Sequence, residues 1–178
     1  MAQFKKNELV LEHVFDTVSN RHFINGMVSV LHCHHFTALY SQLADDCTLL
    51  DGKALLAQCA EDTFYEVLVN YFKANKIETL VERVSIAEQY YAAVGLGKLQ
   101  VTAAGLDSGN VRLEHSHIDE GWIKKWGKRE APVNFITKGY IAAVFSAIFD
   151  RSARTYNVIE EQSVISGADC SIFRVVIN

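Results

Sequence analysis

A chain of 178 residues, 49% apolar and 21% charged, is long enough to bury a sizeable core, and its balance is that of an ordinary globular protein. The net charge of −4 argues against strong attraction to nucleic acid or to an anionic membrane, so neither is expected as a partner. One proline and ten glycines leave no room for a disordered linker, and a single domain over 1–178 is the expectation.

Cys33, Cys47, Cys59 and Cys170 show no CxxC spacing. They read as reduced, buried thiols of a cytoplasmic protein. The longest apolar run, 139–149, is too short to span a bilayer. The opening residues carry Lys5 and Lys6, but the stretch after this pair is broken by acidic and polar residues, unlike a signal peptide.

Residues 1–31 read as an N-terminal hairpin, with strand signals at 9–15 and 27–32 and a turn at Asn25-Gly26. Residues 32–94 read as helices. The first, over 32–44, places Phe36, Leu39, Tyr40 and Leu43 at helical spacing. It opens on His32, Cys33, His34 and His35. Contiguous residues point in different directions, so at most two of these could face one ion, and the run reads as a polar helix start. Haem held by one of the histidines is the alternative reading.

The second helix, over 52–72, has one apolar stripe of Leu56, Ala60, Phe64, Val67, Leu68 and Tyr71. The third, over 79–94, turns Leu80, Val84, Ala87 and Tyr91 inward, with Tyr90 at its edge, and Gly95 and Gly97 stop it. A phosphate-binding glycine loop would follow a strand and open a helix, the reverse of this order.

Residues 95–178 hold a strand hairpin, a buried helix and a second hairpin. Strands over 98–104 and 110–117 are joined by GLDSG. On such a strand His115 and His117 share a face, a pair that reads as solvated and only in the alternative as metal ligands. Trp122 and Trp126, four apart, suggest a short helical turn with an aromatic side. The stretch 132–149 opens at Pro132 and is apolar almost throughout, so it is expected to be buried on most of its circumference. Its Gly139, Ala143 and Ala147 form a smooth face for either another helix of the chain or a second copy. TYNVIEEQSV and CSIFRVVI around SGAD make the last hairpin.

Tyr40, Phe64, Tyr71, Tyr90, Trp122 and Tyr140 are more large aromatics on inward faces than a core of this size requires. With Phe36 and Phe135 they form the candidate lining of an apolar ligand site. No nucleophile, nicotinamide or flavin motif is present, so no catalytic residue is assigned and no enzyme is expected.

The order Gly139-Tyr140-Ile141-Ala142, Glu160, Gly167, Phe173, with GLGKLQV upstream, resembles the 4-vinyl reductase domain family. That family includes bacteriochlorophyll 4-vinyl-reductase-type proteins, small hydrocarbon-binding proteins and sensors of aromatic effectors. Many members set cysteines around the glutamate, as Glu-x-x-Cys-x-x-x-Gly-x-x-x-Cys-x-Phe, where zinc can be held. Here Ser163 and Ser171 occupy the two cysteine positions, Asn134 falls near a third, and Cys170 is one residue out of register. Serine is a poor zinc ligand, and a one-residue shift on a strand points a side chain to the other face. The resemblance therefore implies a lost metal site, no cofactor, and Glu160 left as a hydrogen-bonding remnant.

The fold it implies is α/β, a helical layer packed on a mainly antiparallel, roughly four-stranded sheet, as in haem-nitric-oxide-binding domains and vesicle-tethering subunits. The function it implies is binding of an apolar or aromatic small molecule between helices and sheet, oriented by Glu160, in a sensing or carrier role and as a homodimer. Two rivals stand beside it. One is a tetrapyrrole- or haem-handling, vinyl-reductase-like protein; the other is a homodimeric interaction module.

Overall fold

The computed structural model describes residues 8–30 and 32–178. The chain opens with a three-stranded antiparallel meander, β1 (His13–Asp16), β2 (Arg21–Ile24) and β3 (Met27–Ser29). The predicted hairpin missed its middle strand, because RHFI is short and half polar. Asn25 and Gly26 both have positive φ, 48° and 79°, the combination that reverses a two-residue hairpin without splaying its strands. They join β2 to β3.

Three helices follow: α1 (His34–Asp46), α2 (Gly52–Asn75) and α3 (Leu80–Ala93). Their ends are sealed locally. Asp51 accepts a hydrogen bond from Ala54 N at 3.0 Å, Lys76 closes α2 in the left-handed region, and Thr79 with Glu82 forms a reciprocal capping box before α3. After β4 (Gly97–Ala104) and β5 (Ser108–Ser116) come α4 (His117–Trp126) and α5 (Phe135–Ile148), then β6 (Tyr156–Gln162), a 3-10 turn at Val164–Ser166, and β7 (Ser171–Ile177).

The main sheet has the order β4-β5-β7-β6 and is antiparallel throughout. Each predicted hairpin forms, and the two are zipped together by β5 against β7, with Val111 opposite Phe173. Alternation along the strands turns Leu99, Val111, Leu113, Tyr156, Val158, Phe173 and Val175 into the core. The opposite face carries ion pairs, Lys98 with Glu114 and Arg174 with Glu161. Five helices packed on a four-stranded antiparallel sheet, with a separate three-stranded sheet, make this an α/β protein.

α5 lies at the centre of it. Every residue from Gly139 to Ile148 is buried, and the helix packs against α2 on one side and β6 on the other. Its smooth face is used inside the chain: a Cβ at Gly139 would lie 2.1 Å from Ala57 O and 2.9 Å from Ala60 Cβ. That face is therefore no surface for a second copy. Pro132 does not open this helix; it lies in the connection, and Asn134 is the N-cap. Tyr90, expected at the edge of α3, is buried with Ile86, Ala87 and Tyr91, whereas Leu80 is exposed. Cys33, Cys47 and Cys59 are exposed rather than buried, and all four cysteines are free. Among the described residues no helix is long and apolar enough to cross a membrane.

Candidate functional site

Strand alternation carries Glu160 to the core side of β6, in line with Tyr156 and Val158. A register shift between Glu160 and Gln162 leaves Gln162 paired with Ile172, and the chain then turns inward at the buried Ser163. Ser171 opens β7 on the same side as Phe173 and Val175 and is fully buried. Cys170 is buried, and its backbone carbonyl accepts from Gln162 Nε2 at 3.2 Å. Ser171, not Cys170, faces Glu160, as the register argument requires.

Two further elements complete the cluster. Ser116 caps α4 by accepting from Asp119 N at 3.0 Å, and this places the Asp119 carboxyl in the interior. Asn134, the α5 cap residue, donates through Nδ2 to Asp119 Oδ1 and Oδ2 at 3.0 and 2.9 Å and to Glu160 Oε1 at 2.9 Å. Its Oδ1 accepts from Ser116 Oγ at 3.1 Å. Ser171 Oγ reaches Asp119 Oδ2 at 3.5 Å and accepts from Val164 N at 3.0 Å. The Ser163 hydroxyl lies against the Glu160 carboxyl, yet neither Ser163 Oγ nor Glu160 Oε2 completes a well-formed hydrogen bond.

Burial dominates the electrostatics. It pushes the Glu160 carboxyl up to about 7, against the adjacent Ser163 hydroxyl and the hydrogen bond from Asn134, and the nearby Asp119 charge adds to the rise. Asp119 is raised as well, burial again outweighing the hydrogen bonds its carboxyl accepts from Asn134. One amide between two carboxyls, one of them half-protonated near neutrality, can hold a proton and offer Oε2 to a bound hydroxyl. It does not fit zinc. The donors are oxygens, and an amide N–H occupies the point between the carboxylates where a cation would sit. Among the described residues, no group of three or more His, Cys, Asp or Glu is arranged to hold a metal ion.

Beside this cluster stands an aromatic one. Tyr140 packs on Phe64 and Tyr91 at centroid distances of 4.8 and 4.9 Å, and Phe64 meets Tyr90 at 6.4 Å. Tyr91 and Thr137 share a hydrogen bond of 2.8 Å, and Tyr140 donates to Ala87 O at 2.6 Å. Burial raises the Tyr91 hydroxyl, against its bond with Thr137, and the Asp119 and Glu160 charges add to the rise. The two clusters are thus electrostatic neighbours.

The sequence-selected residues divide. Phe64, Tyr90, Tyr140 and Glu160 lie in or beside these clusters. Trp122 is buried in a satellite core with Ile118, Val133 and Ile165. Phe135 is buried at the start of α5. Tyr71 lines a cavity of about 340 Å³ beneath the meander, with Val10, Ile24, Met27 and Val67. Phe36 and Tyr40 point outward from α1. Tyr91, Thr137 and Asp119 were not selected; the Ser116-x-x-Asp119 cap spacing was the available signal for the last.

The histidines are also redistributed. His117 is the first residue of α4, not a strand neighbour of His115, which is exposed and 3.8 Å from Glu120. His34 is half-buried, its ring 4.2 Å from that of His35 and 6.2 Å from that of His117. Its pKa is lowered, first by burial and then by His35, Lys124 and His117.

No family model matches this sequence, and no curated protein matches it. Solved structures do. The phenol-responsive sensory domain of the transcription activator PoxR, crystallised with phenol, superposes with a TM-score of 0.75 over 92% of this chain and 84% of that one, at 14% identity. Subunit 3 of a trafficking protein particle complex from Naegleria fowleri, covalently bound to palmitic acid, superposes with a TM-score of 0.53 over 82% of this chain and 95% of that one, at 11% identity. In fold, then, the chain is similar to a phenol-responsive sensory domain and, more distantly, to a trafficking-complex subunit.

Proposed function

We propose that this chain is a small-molecule-binding domain of sensing or carrier type, taking an apolar or aromatic compound between the helices and the main sheet. The supporting observation is the neighbourhood of the two clusters: edge-on and tilted rings of Phe64, Tyr90, Tyr91 and Tyr140 near a largely buried carboxyl, Glu160, whose Oε2 completes no hydrogen bond among the described residues. An aromatic body would replace ring–ring contacts, and a hydroxyl on it would complete Glu160. The rings touch one another, so entry requires them to part. The family resemblance of the sequence and the fold shared with a phenol-responsive domain support the same class.

A homodimer belongs to this reading. Burial of roughly 250 Å² of ligand at ~25 cal/mol per Å² yields about 6 kcal/mol before binding costs. Tight binding thus requires the polar contact. Calorimetric titration with phenol and with toluene, which lacks the hydroxyl, tests this. Phenol is expected to bind more tightly, and Glu160→Leu to erase the difference. If neither compound binds to folded protein, the reading is wrong.

A further inference from the structure

α1 is turned the wrong way round for a helix of a lone protein. Its buried residues are small or polar, Thr37, Ala38, Ser41 and Ala44. Its large apolar residues, Phe36, Leu39, Tyr40 and Leu43, face outward at i, i+3, i+4 and i+7, with Phe36 50% and Leu43 59% exposed. Small residues let α1 sit close to its neighbours: a Cβ on Gly121 of α4 would lie 2.8 Å from His34 Cβ, and one on Gly52 would lie 2.6 Å from Ala44 O. Leu49, 93% exposed, and Leu50 in the connection to α2 are exposed as well, and so is Leu55 of α2.

We propose that this face binds a second copy of the chain, two α1 helices packing antiparallel about a two-fold axis. The inference rests on the homodimer reading and locates its surface. Two observations choose this occupant. The first is area. Seven large side chains each leaving roughly 100 Å² in water expose about 700 Å² in all. That exceeds the ~300–600 Å² typical of the largest patch on a monomer and matches the ~800 Å² per partner of a standard interface.

The second observation is charge. The first turn of α1 holds no acidic residue and the last no basic one. Instead His34 and His35 stand at the positive end of the helix dipole, and Asp45 and Asp46 at the negative end. Asp45 is neutralised within the chain by Lys53 and Arg129, each at 2.7 Å. Asp46 accepts from Gln42 Nε2 at 2.6 Å and has no ion pair among the described residues. An antiparallel partner sets the positive end of its own α1 dipole beside this negative end, and the reverse at the other end. A pair centred between Leu39 and Tyr40 sets Phe36 opposite the partner's Leu43. It also brings the His32 and Cys33 end against the partner's Asp46 and Cys47. A self-complementary stripe of this kind fits a two-fold interface, where one patch must match itself.

The exposed Cys33 and Cys47 supply the test. The mass of the native protein in solution is measured by sedimentation, and a short thiol-to-thiol cross-linker is added, the joined peptides being identified by mass spectrometry. A dimer with Cys33 joined to the partner's Cys47, lost in Cys33→Ser, is the expected result. Leu39→Asp with Leu43→Asp changes exposed positions only and should weaken self-association by at least about 30-fold, the scale of a hot-spot loss, with the circular dichroism spectrum unchanged. A dimer that cross-links elsewhere, or that survives the double substitution, overturns the surface but leaves the homodimer. A monomer overturns both, and neither result bears on phenol binding, which is measured separately.

Discussion

Asn134 holds together two carboxyls that would repel each other, and its amide is the reason both can stay in the interior. Glu160 titrates near 7 in the folded chain against an ordinary 4.5, so folding takes up a proton between those values. Its contribution is complete below about pH 4.5 and is lost as pH rises through about 7, a difference of about 3 kcal/mol. Asp119, also raised, acts with the same sign. His34, lowered by burial, acts with the opposite one, its contribution present above its unfolded value. The isosteric Glu160→Gln separates them. Urea denaturation at pH 5 and pH 8 should show the wild type losing more stability across that interval than Glu160→Gln does. Equal losses would mean that Glu160 is not protonated by folding. The resemblance to the 4-vinyl reductase domains implied Ser163, Ser171 and Asn134 around Glu160. It did not imply Asp119, because its burial depends on where the α4 cap meets α5.

Among the elements, α5 was the most legible, because an uninterrupted apolar run admits only burial. Which neighbour its smooth face meets was not. Gly139 answers that: its missing Cβ is the space taken by Ala57 O of α2. Gly139→Leu is expected to cost about 3 kcal/mol or more, since two core helices must separate to admit the side chain, and the denaturation midpoint should fall without loss of α-helical dichroism in water. No change would mean that α2 and α5 do not approach this closely. The α1 stripe shows the reverse case. Periodicity identified Phe36, Leu39, Tyr40 and Leu43 as one face, but periodicity is the same whether a face meets the core or a partner. For β2 and α4 the local signals were weak, one being four residues long and the other polar over most of its surface.

At the scale of the molecule, the meander is the least anchored part. Its lead-in residues Leu9 and Val10 donate to Gln89 Oε1 and Tyr71 Oη at 3.0 and 2.9 Å, and Val14, Phe15 and Val28 stay exposed. Amide hydrogen exchange should therefore be fastest in β1 to β3 and slowest in α5 and β7. Comparable protection of the meander and α5 would contradict this layering. By itself the sequence determined the helix-then-strand order, the two hairpins and the buried α5, since these depend on periodicity and turn chemistry within short windows. Only the tertiary structure decided that β5 pairs with β7, that Asp119 joins Glu160 through Asn134, and that α1 turns its apolar face outward. Each depends on residues far apart in the chain competing for the same space, and no local pattern records who wins.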